Sequence, residues 1–188
     1  TTWGQFSNCL LIKLDGTGNV QWTNSSLGGN ATDVGSSVWQ TTDSGYVMAG
    51  STSGNTAVQG GYDYYIVKLN STGQTVQWSK ALGGTGNDYG GTIQQVAGGD
   101  YVVAGYTTSN NGDVSGNHGG TDGWLVGLDA TSQTIQWQKA LGGTGEDFIY
   151  SFQQNADGSY IVGGSTTSTD GDFSTATNYN GGGDAFVM

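Results

Sequence analysis

Residues 77–88 read Gln77-Trp78-Ser79-Lys80-Ala81-Leu82-Gly83-Gly84-Thr85-Gly86-Asn87-Asp88, and this stretch decides how the chain folds because it occurs twice almost unchanged. It returns later in the chain as Gln136-Trp137-Gln138-Lys139-Ala140-Leu141-Gly142-Gly143-Thr144-Gly145-Glu146-Asp147. A diverged copy begins at Gln21-Trp22 and runs through Leu27-Gly28-Gly29 to Asp33. A repeat at this spacing predicts an array of equivalent structural units.

Four short segments recur in each unit. They are rich in Val, Ile, Tyr and Trp and are bounded by Gly, Asn, Asp or Ser, which is typical of β-strands. No window has a 3.6-residue apolar period, so we expect no helix. The segments of the first type are 8–14, 63–69, 122–128 and 184–188; the second end at Trp22, Trp78 and Trp137; the third are 36–40, 91–95 and 150–154; the fourth are 46–50, 101–105 and 160–164.

The spacing of the segments separates a fixed part of the unit from a variable one. The distance from the Asp after the glycine pair to the Gly that closes the fourth segment is the same in every copy, at 33–50, 88–105 and 147–164. The distance from that Gly to the next first segment grows along the chain, from 50–63 to 105–122 to 164–184. A variable loop on a constant scaffold is a common place for recognition, which points to the face that carries 51–62, 106–121 and 165–183.

Four short antiparallel strands in each unit predict an all-β, β-propeller-like array of four-stranded blades. In such an array adjacent blades pack face to face, which explains the continuous apolar runs at 65–67 and 101–103. Trp22, Trp78 and Trp137 would then pack between blades. The rival architecture is a β-solenoid, which has shorter coils and does not need tight hairpins.

The sequence contains three repeats and one further strand, which predict a single repeat array over residues 1–188. The predicted blade repeats are about 8–62, 63–121 and 122–183, with an extra strand at 184–188. Three blades are fewer than the four to eight of a typical closed propeller. We therefore expect part of a larger propeller, several chains that complete a ring, or further assembly through open edges.

The repeat resembles the propeller-type repeats of secreted Bacteroidetes surface proteins, many of which carry a separate type IX secretion sorting domain. The resemblance covers nearly the whole chain. It rests on Trp-x-Lys-x-Leu-Gly-Gly-Thr-Gly-x-Asp at 78–88 and 137–147, the Gln pairs at 94–95 and 153–154, Asp-Gly-x-Tyr-Ile-Val-x-Gly at 157–164, and the loop at 111–124. It implies a secreted protein at the cell surface. Residues 128–137 are also similar to the tryptophan-docking motif of quinone propellers, and 160–164 to kelch repeats.

Composition excludes several classes of partner. The formal net charge is −11, from 15 acidic residues against 4 basic ones. Phosphate contacts need basic side chains, so nucleic acid and anionic membrane surfaces are poor partners. No apolar run is long enough to span a bilayer. Cys9 is the single cysteine, which excludes an internal disulfide and a cysteine-based zinc site.

Calcium is the best hypothesis for a cofactor, because the long loops carry closely spaced carboxylates together with Asn and Gly. The competing interpretation is that these residues form turns. The candidate ligands are Asp113, Asp122, Asp170, Asp172 and Asp184.

Asp33, Asp88 and Asp147 recur at one position of the repeat, where they predict a carboxylate that accepts backbone N–H groups and locks the Gly-rich turn. His118, the only histidine, would need a nucleophile and an orienting acid to act as a base. Trp39 and Tyr106 are aromatic where the other copies have Gln or Ser. With His118, they are the candidate ligand-binding residues, since aromatic faces suit carbohydrate stacking.

These observations predict a secreted or cell-surface module without catalysis, which binds a protein or a glycan or serves adhesion. One alternative is a lectin whose chains complete a ring, as a homo-oligomer. Another is a subunit of a self-assembling extracellular fibre. A hydrolase with two Asp carboxylates is a less favoured alternative.

Overall fold

A computed structural model of the chain describes residues 7–54, 58–131, 133–175 and 182–188. These residues form thirteen strands and one short 3₁₀ turn at Gly171–Phe173. The strands are β1 (Cys9–Leu14), β2 (Val20–Leu27), β3 (Asp33–Gln40), β4 (Tyr46–Thr52), β5 (Asp63–Leu69), β6 (Val76–Leu82), β7 (Asp88–Gln95), β8 (Tyr101–Thr107), β9 (Asp122–Leu128), β10 (Ile135–Leu141), β11 (Asp147–Gln154), β12 (Tyr160–Thr166) and β13 (Asp184–Val187).

The strands form four antiparallel sheets in chain order. Sheet I is β1–β2, sheet II is β3–β4–β5–β6, sheet III is β7–β8–β9–β10 and sheet IV is β11–β12–β13. The predicted all-β class with four-stranded antiparallel sheets is therefore confirmed. Each complete sheet begins at the Asp after a glycine pair, at Asp33 or Asp88. The sheets therefore begin two strands after the predicted repeat boundaries at residues 8 and 63. The described residues do not form a closed ring of sheets.

Neighbouring sheets pack face to face through continuous apolar clusters. Between sheets II and III the cluster includes Val47, Ile66, Ile93, Trp124 and Val126. Between sheets III and IV it includes Val102, Leu125 and Phe152, and between sheets I and II it includes Cys9, Met48, Tyr65 and Val67. Because the middle strands are covered on both sides, β5 and β9 are buried along their whole length.

The recurring tryptophans join one sheet to the next, as the sequence predicts. Trp22 in sheet I lies 5.6 Å from Tyr46 of sheet II, measured between ring centroids. Trp78 and Tyr101 repeat this contact at 5.8 Å between sheets II and III, and Trp137 and Tyr160 repeat it at 5.4 Å between sheets III and IV. The tryptophans therefore have a packing role, at one position of each unit.

The third-type strands β3, β7 and β11 lie beside one another at one edge of the stack. The Ile93 backbone N–H donates to Ser37 Oγ at 2.9 Å, and Gln94 Nε2 donates to the Phe152 carbonyl at 3.1 Å. Each of these strands also contains a β-bulge, opposite Gly50, Gly105 or Gly164. These bulges and the approach of the three strands form the walls of the cavity described next.

None of the helical structure in the described residues is long and apolar enough to cross a membrane.

Candidate functional site

An open cavity of about 360 Å³ lies among the three neighbouring strands β3, β7 and β11, and Ser51 of β4 and Tyr106 of β8 also line it. Its walls differ in character. Tyr89 and Tyr106 of sheet III and Tyr150 of sheet IV supply aromatic rings. The rest of the lining is small or aliphatic: Val34, Ser36 and Ser51 of sheet II, Gly90 and Gly91 of the bulge in β7, and Ile149 of β11.

A continuous row of five aromatic rings includes the three tyrosines that line this cavity. Tyr62 stacks on Tyr89 with centroids 5.2 Å apart, and Tyr89 lies 5.1 Å from Tyr106. Tyr106 then meets the edge of Phe148 at 4.9 Å, and Phe148 stacks on Tyr150 at 6.4 Å. The row ends at the ring of Tyr150, which is exposed to solvent.

The hydroxyl groups of Tyr89 and Tyr106 are neutral at physiological pH. Burial raises the pKa of each above the ordinary value for a phenol, and the neighbouring phenols add to the effect. The Tyr150 hydroxyl shares a hydrogen bond of 2.9 Å with Ser165 Oγ. The cavity thus presents aromatic faces and hydroxyl groups, and no carboxylate, lysine or histidine occurs among the described residues that line it.

The recurring carboxylates Asp33, Asp88 and Asp147 have the turn-locking role that the sequence predicts. Their Oδ2 atoms accept the backbone N–H groups of Gly29, Gly84 and Gly143 at 2.9, 2.8 and 2.8 Å, respectively. Asp88 is tied further by the hydroxyl groups of Thr107 and Ser109. These acids are buried and internally bonded, which makes them part of the scaffold.

A second row of buried carboxylates faces the first. A Cβ atom at Gly83 would lie 2.6 Å from Asp63 Oδ1 and 2.5 Å from Asp88 Oδ2, so the two carboxylates converge on this glycine. Gly142 has the same position between Asp122 and Asp147. Three buried Oδ1 atoms have no hydrogen-bond partner among the described residues: those of Asp63 and Asp122 in the second row and that of Asp147 in the first.

Burial controls the protonation of this second row. Desolvation, with repulsion from Asp88 and Asp113, raises the pKa of Asp63 to about 6, against the opposing effect of the Gln59 N–H. Desolvation also raises the pKa of Asp122, although the hydrogen bonds from His118 oppose it. The first unit differs, because Asn8 replaces the aspartate beside Asp33 and Gly28.

The predicted calcium ligands lie in different turns and strands, and several of them accept backbone N–H groups. Asp113 Oδ2 accepts the Gly83 N–H at 3.2 Å, and Asp172 Oδ2 accepts the Gly142 N–H at 3.1 Å. The remaining three are engaged elsewhere: Asp170 accepts the Thr144 N–H, Asp122 accepts from His118, and Asp184 begins β13 opposite Thr166. Within the described ranges no three His, Cys, Asp or Glu side chains are grouped so as to hold a metal ion. Calcium binding stays a prediction.

His118 lies apart from the tyrosine-lined cavity, in the loop before β9. Its Nδ1 is 2.7 Å from Asp122 Oδ2, an orienting contact that a catalytic histidine would also need. It borders a smaller cavity of about 150 Å³ with Thr144 and Asp170. The Thr144 hydroxyl donates to Asp170 at 2.9 Å, so its proton is already committed to a carboxylate.

Of the aromatic candidates, Tyr106 lines the large cavity, whereas Trp39 is exposed on β3 outside its lining. Sequence reasoning missed Tyr89 and Tyr150. Both are aromatic residues near the start of a third-type strand, and this is the signal that could have found them. The first unit has Val34 at the position of Tyr89 and Ser36 at the position of Tyr150. Of the variable loops, residues 55–57 and 176–181 lie outside the described residues.

No protein-family model matches the sequence, and no match was found among curated proteins.

Proposed function

We propose that this chain is a secreted or cell-surface binding module without catalysis, and that it takes a neutral glycan in the tyrosine-lined cavity. The observation that carries the proposal is the lining itself, which combines three tyrosine rings with serine hydroxyl groups. A cavity of this size and composition lies within the range of small-ligand sites. The resemblance to secreted surface repeats supports the location.

The charge distribution supports a neutral ligand over a charged one. The chain has a net charge of −11, which disfavours anionic sugars. A cationic ligand would need a carboxylate in the lining, and the described lining residues include none. A polyhydroxylated neutral ring can stack its apolar face on tyrosine while its hydroxyl groups bond to Ser36, Ser51 and the phenols.

Two tyrosine variants test the proposal. We expect Tyr150→Ala to raise the dissociation constant of a neutral glycan about two- to tenfold, since a lost aromatic contact is worth about 0.5–1.5 kcal/mol. Tyr106→Phe keeps the ring and removes one hydroxyl group, so a smaller loss is expected. The measurement is calorimetric titration with a panel of neutral oligosaccharides of glucose, galactose and mannose.

Trp39→Ala is the matched control, because Trp39 is an exposed aromatic outside the lining. It should leave the affinity unchanged. Loss of binding in the Trp39 variant but not in the tyrosine variants would place the glycan on the β3 surface instead. Absence of binding to the whole panel at millimolar concentration would overturn the ligand class.

A further inference from the structure

The two ends of the sheet stack expose apolar residues at positions that are buried everywhere else in the chain. At the N-terminal end Leu10, Ile12 and Leu14 of β1 are 58%, 46% and 52% exposed. Their equivalents in β5 and β9 are at most 5% exposed; these are Tyr65, Val67, Leu69, Trp124, Val126 and Leu128. The end of the stack therefore has the composition of an interface between sheets.

Val38 of β3 shows which part of the neighbouring sheet is absent. Its equivalents Ile93 and Phe152 are 2% and 5% exposed because the fourth-type strand of the preceding sheet covers them, through Val47 and Val102, respectively. Val38 is 48% exposed, because among the described residues sheet I contains only a first- and a second-type strand, β1 and β2. A cavity of about 160 Å³ lies in this space, between β1 and residues 35–38 of β3.

The hairpin β11–β12 at the other end of the chain carries the complementary residue. Ile161 of β12 is the equivalent of Val47 and Val102, yet it is 42% exposed. The described part of sheet I has no third-type and no fourth-type strand. β11 is a third-type strand and β12 is a fourth-type strand, so this hairpin could supply both. The two end surfaces therefore resemble the two sides of the interfaces that join sheet I to II, II to III and III to IV.

We propose that two copies of the chain assemble head to tail, with the hairpin β11–β12 of each copy completing sheet I of the other. In this arrangement β12 pairs with the outer edge of β1, and Ile161 packs on Val38 as Val47 packs on Ile93. Leu10, Ile12 and Leu14 then face sheet III of the other copy, where Phe186 of β13 now packs.

Polar contacts between the sheets can be repeated across the same junction. Gln95 Oε1 accepts the Thr42 N–H at 2.8 Å, and Gln154 Oε1 accepts the Ala97 N–H at 2.9 Å. Gln40 occupies the equivalent position on β3, and the equivalent N–H in sheet IV is that of Ala156. The proposed junction brings Gln40 of one copy to Ala156 of the second copy.

Strand β13 must give way in this assembly, since it occupies the position that β1 would take. Its pairing with β12 runs from Gly163 opposite Val187 to Thr166 opposite Asp184, and its Val187 is 76% exposed. Each copy then contributes sheets II and III and one completed sheet. Two copies give six four-stranded sheets, within the range of about four to eight for closed propellers. The inference does not depend on the glycan proposed above.

The mass of the full chain in solution tests the assembly. We expect light scattering to give twice the chain mass of 19.3 kDa. Val38→Glu or Ile161→Glu should raise the dimer dissociation constant about 100-fold or more, because each places a carboxylate in an apolar contact. Val76→Glu, at an exposed valine of the outer strand β6, should leave the dimer intact.

Cross-linking tests the contact itself. Val38 lies in sheet II and Ile161 in sheet IV, with sheet III between them. In a Cys9→Ser background, which removes the native thiol that lines the same cavity as Val38, a disulfide between Val38→Cys and Ile161→Cys is therefore expected to join two copies. We expect a covalent dimer under oxidising conditions, and none from the control pair Val76→Cys with Ile161→Cys. A mass that stays at that of a single chain, an open-ended range of masses, or equal cross-linking by both pairs would overturn the proposal.

Discussion

Replacement of Gly105 by alanine is expected to lower the free energy of unfolding by about 2–3 kcal/mol, in the upper part of the range for forced overpacking. A Cβ atom there would lie 2.0 Å from the Tyr89 carbonyl oxygen and 2.9 Å from the Gly91 backbone nitrogen. Both are backbone atoms of the bulge in β7, so neither can move aside without breaking the ladder between β7 and β8. Chemical denaturation followed by tryptophan fluorescence measures the loss.

Gly16→Ala is the control for this prediction. Gly16 lies in the turn after β1, and a Cβ atom there would meet nothing within 4 Å. Its substitution should change the unfolding free energy by no more than about 0.5 kcal/mol. Equal unfolding midpoints for the two alanine variants would refute the requirement for glycine at the bulge. Gly50→Ala and Gly164→Ala should behave like Gly105→Ala, since they face the equivalent backbone carbonyl in sheets II and IV.

Asp63→Asn is expected to stabilise the fold at pH 7.5 by about 1–3 kcal/mol, the cost of ionising a buried carboxyl whose pKa lies well above its ordinary value. Folding raises the pKa of Asp63 from 3.8 to about 6. The folded state therefore holds an extra proton between these values, and the wild type loses stability as pH rises from about 4 to 6. Asparagine removes this dependence, so the gain should vanish below pH 4.

The chain itself supplies a precedent for this substitution, because Asn8 occupies the equivalent position in the first unit. Asparagine can still accept the Gln59 N–H that Asp63 Oδ2 accepts at 2.9 Å. The measurement is urea unfolding of both proteins from pH 3.5 to 8. A variant that is less stable than the wild type at pH 7.5 would contradict the predicted penalty.

Asp157→Asn is the matched control with the opposite sign. Hydrogen bonds from Ser159 lower the pKa of Asp157, which is exposed in the turn before β12. Its carboxylate therefore stabilises the fold at neutral pH, and its removal should bring no gain there.

The class of fold could be predicted from sequence because it depends on local patterns. The recurrence of Gln-Trp and Gly-Gly-Thr-Gly at 77–88 and 136–147 set the period, and short β-branched runs between turn residues marked the strands. The contact of Trp78 with the next sheet could also be predicted, since a large ring that recurs at one position needs a recurring partner. The role of the Asp88 carboxylate could be predicted too, because the backbone N–H groups of a Gly-rich turn need a hydrogen-bond acceptor.

The site could be predicted only in part. Tyr106 was marked by its departure from the serine at the same position of the other units. Tyr89 and Tyr150 were not marked, because whether a strand residue faces a cavity or a neighbouring sheet depends on the bulges in β7 and β11. A bulge reverses the alternation of side-chain faces along a strand, so the aromatic residues near the start of β7 and β11 do not by themselves show which face they occupy.

By itself the sequence determined the repeat, the strand type and the turn chemistry, because each depends on residues close together in the chain. Only the tertiary structure decided which carboxylates share a site, which tyrosines line one cavity and which apolar residues remain uncovered. Asp63 and Asp88 are distant in sequence and meet only when β5 and β7 fold around Gly83. Leu14 and Leu69 occupy equivalent positions in the repeat, yet the packing of sheet I on sheet II buries Leu69 and leaves Leu14 exposed.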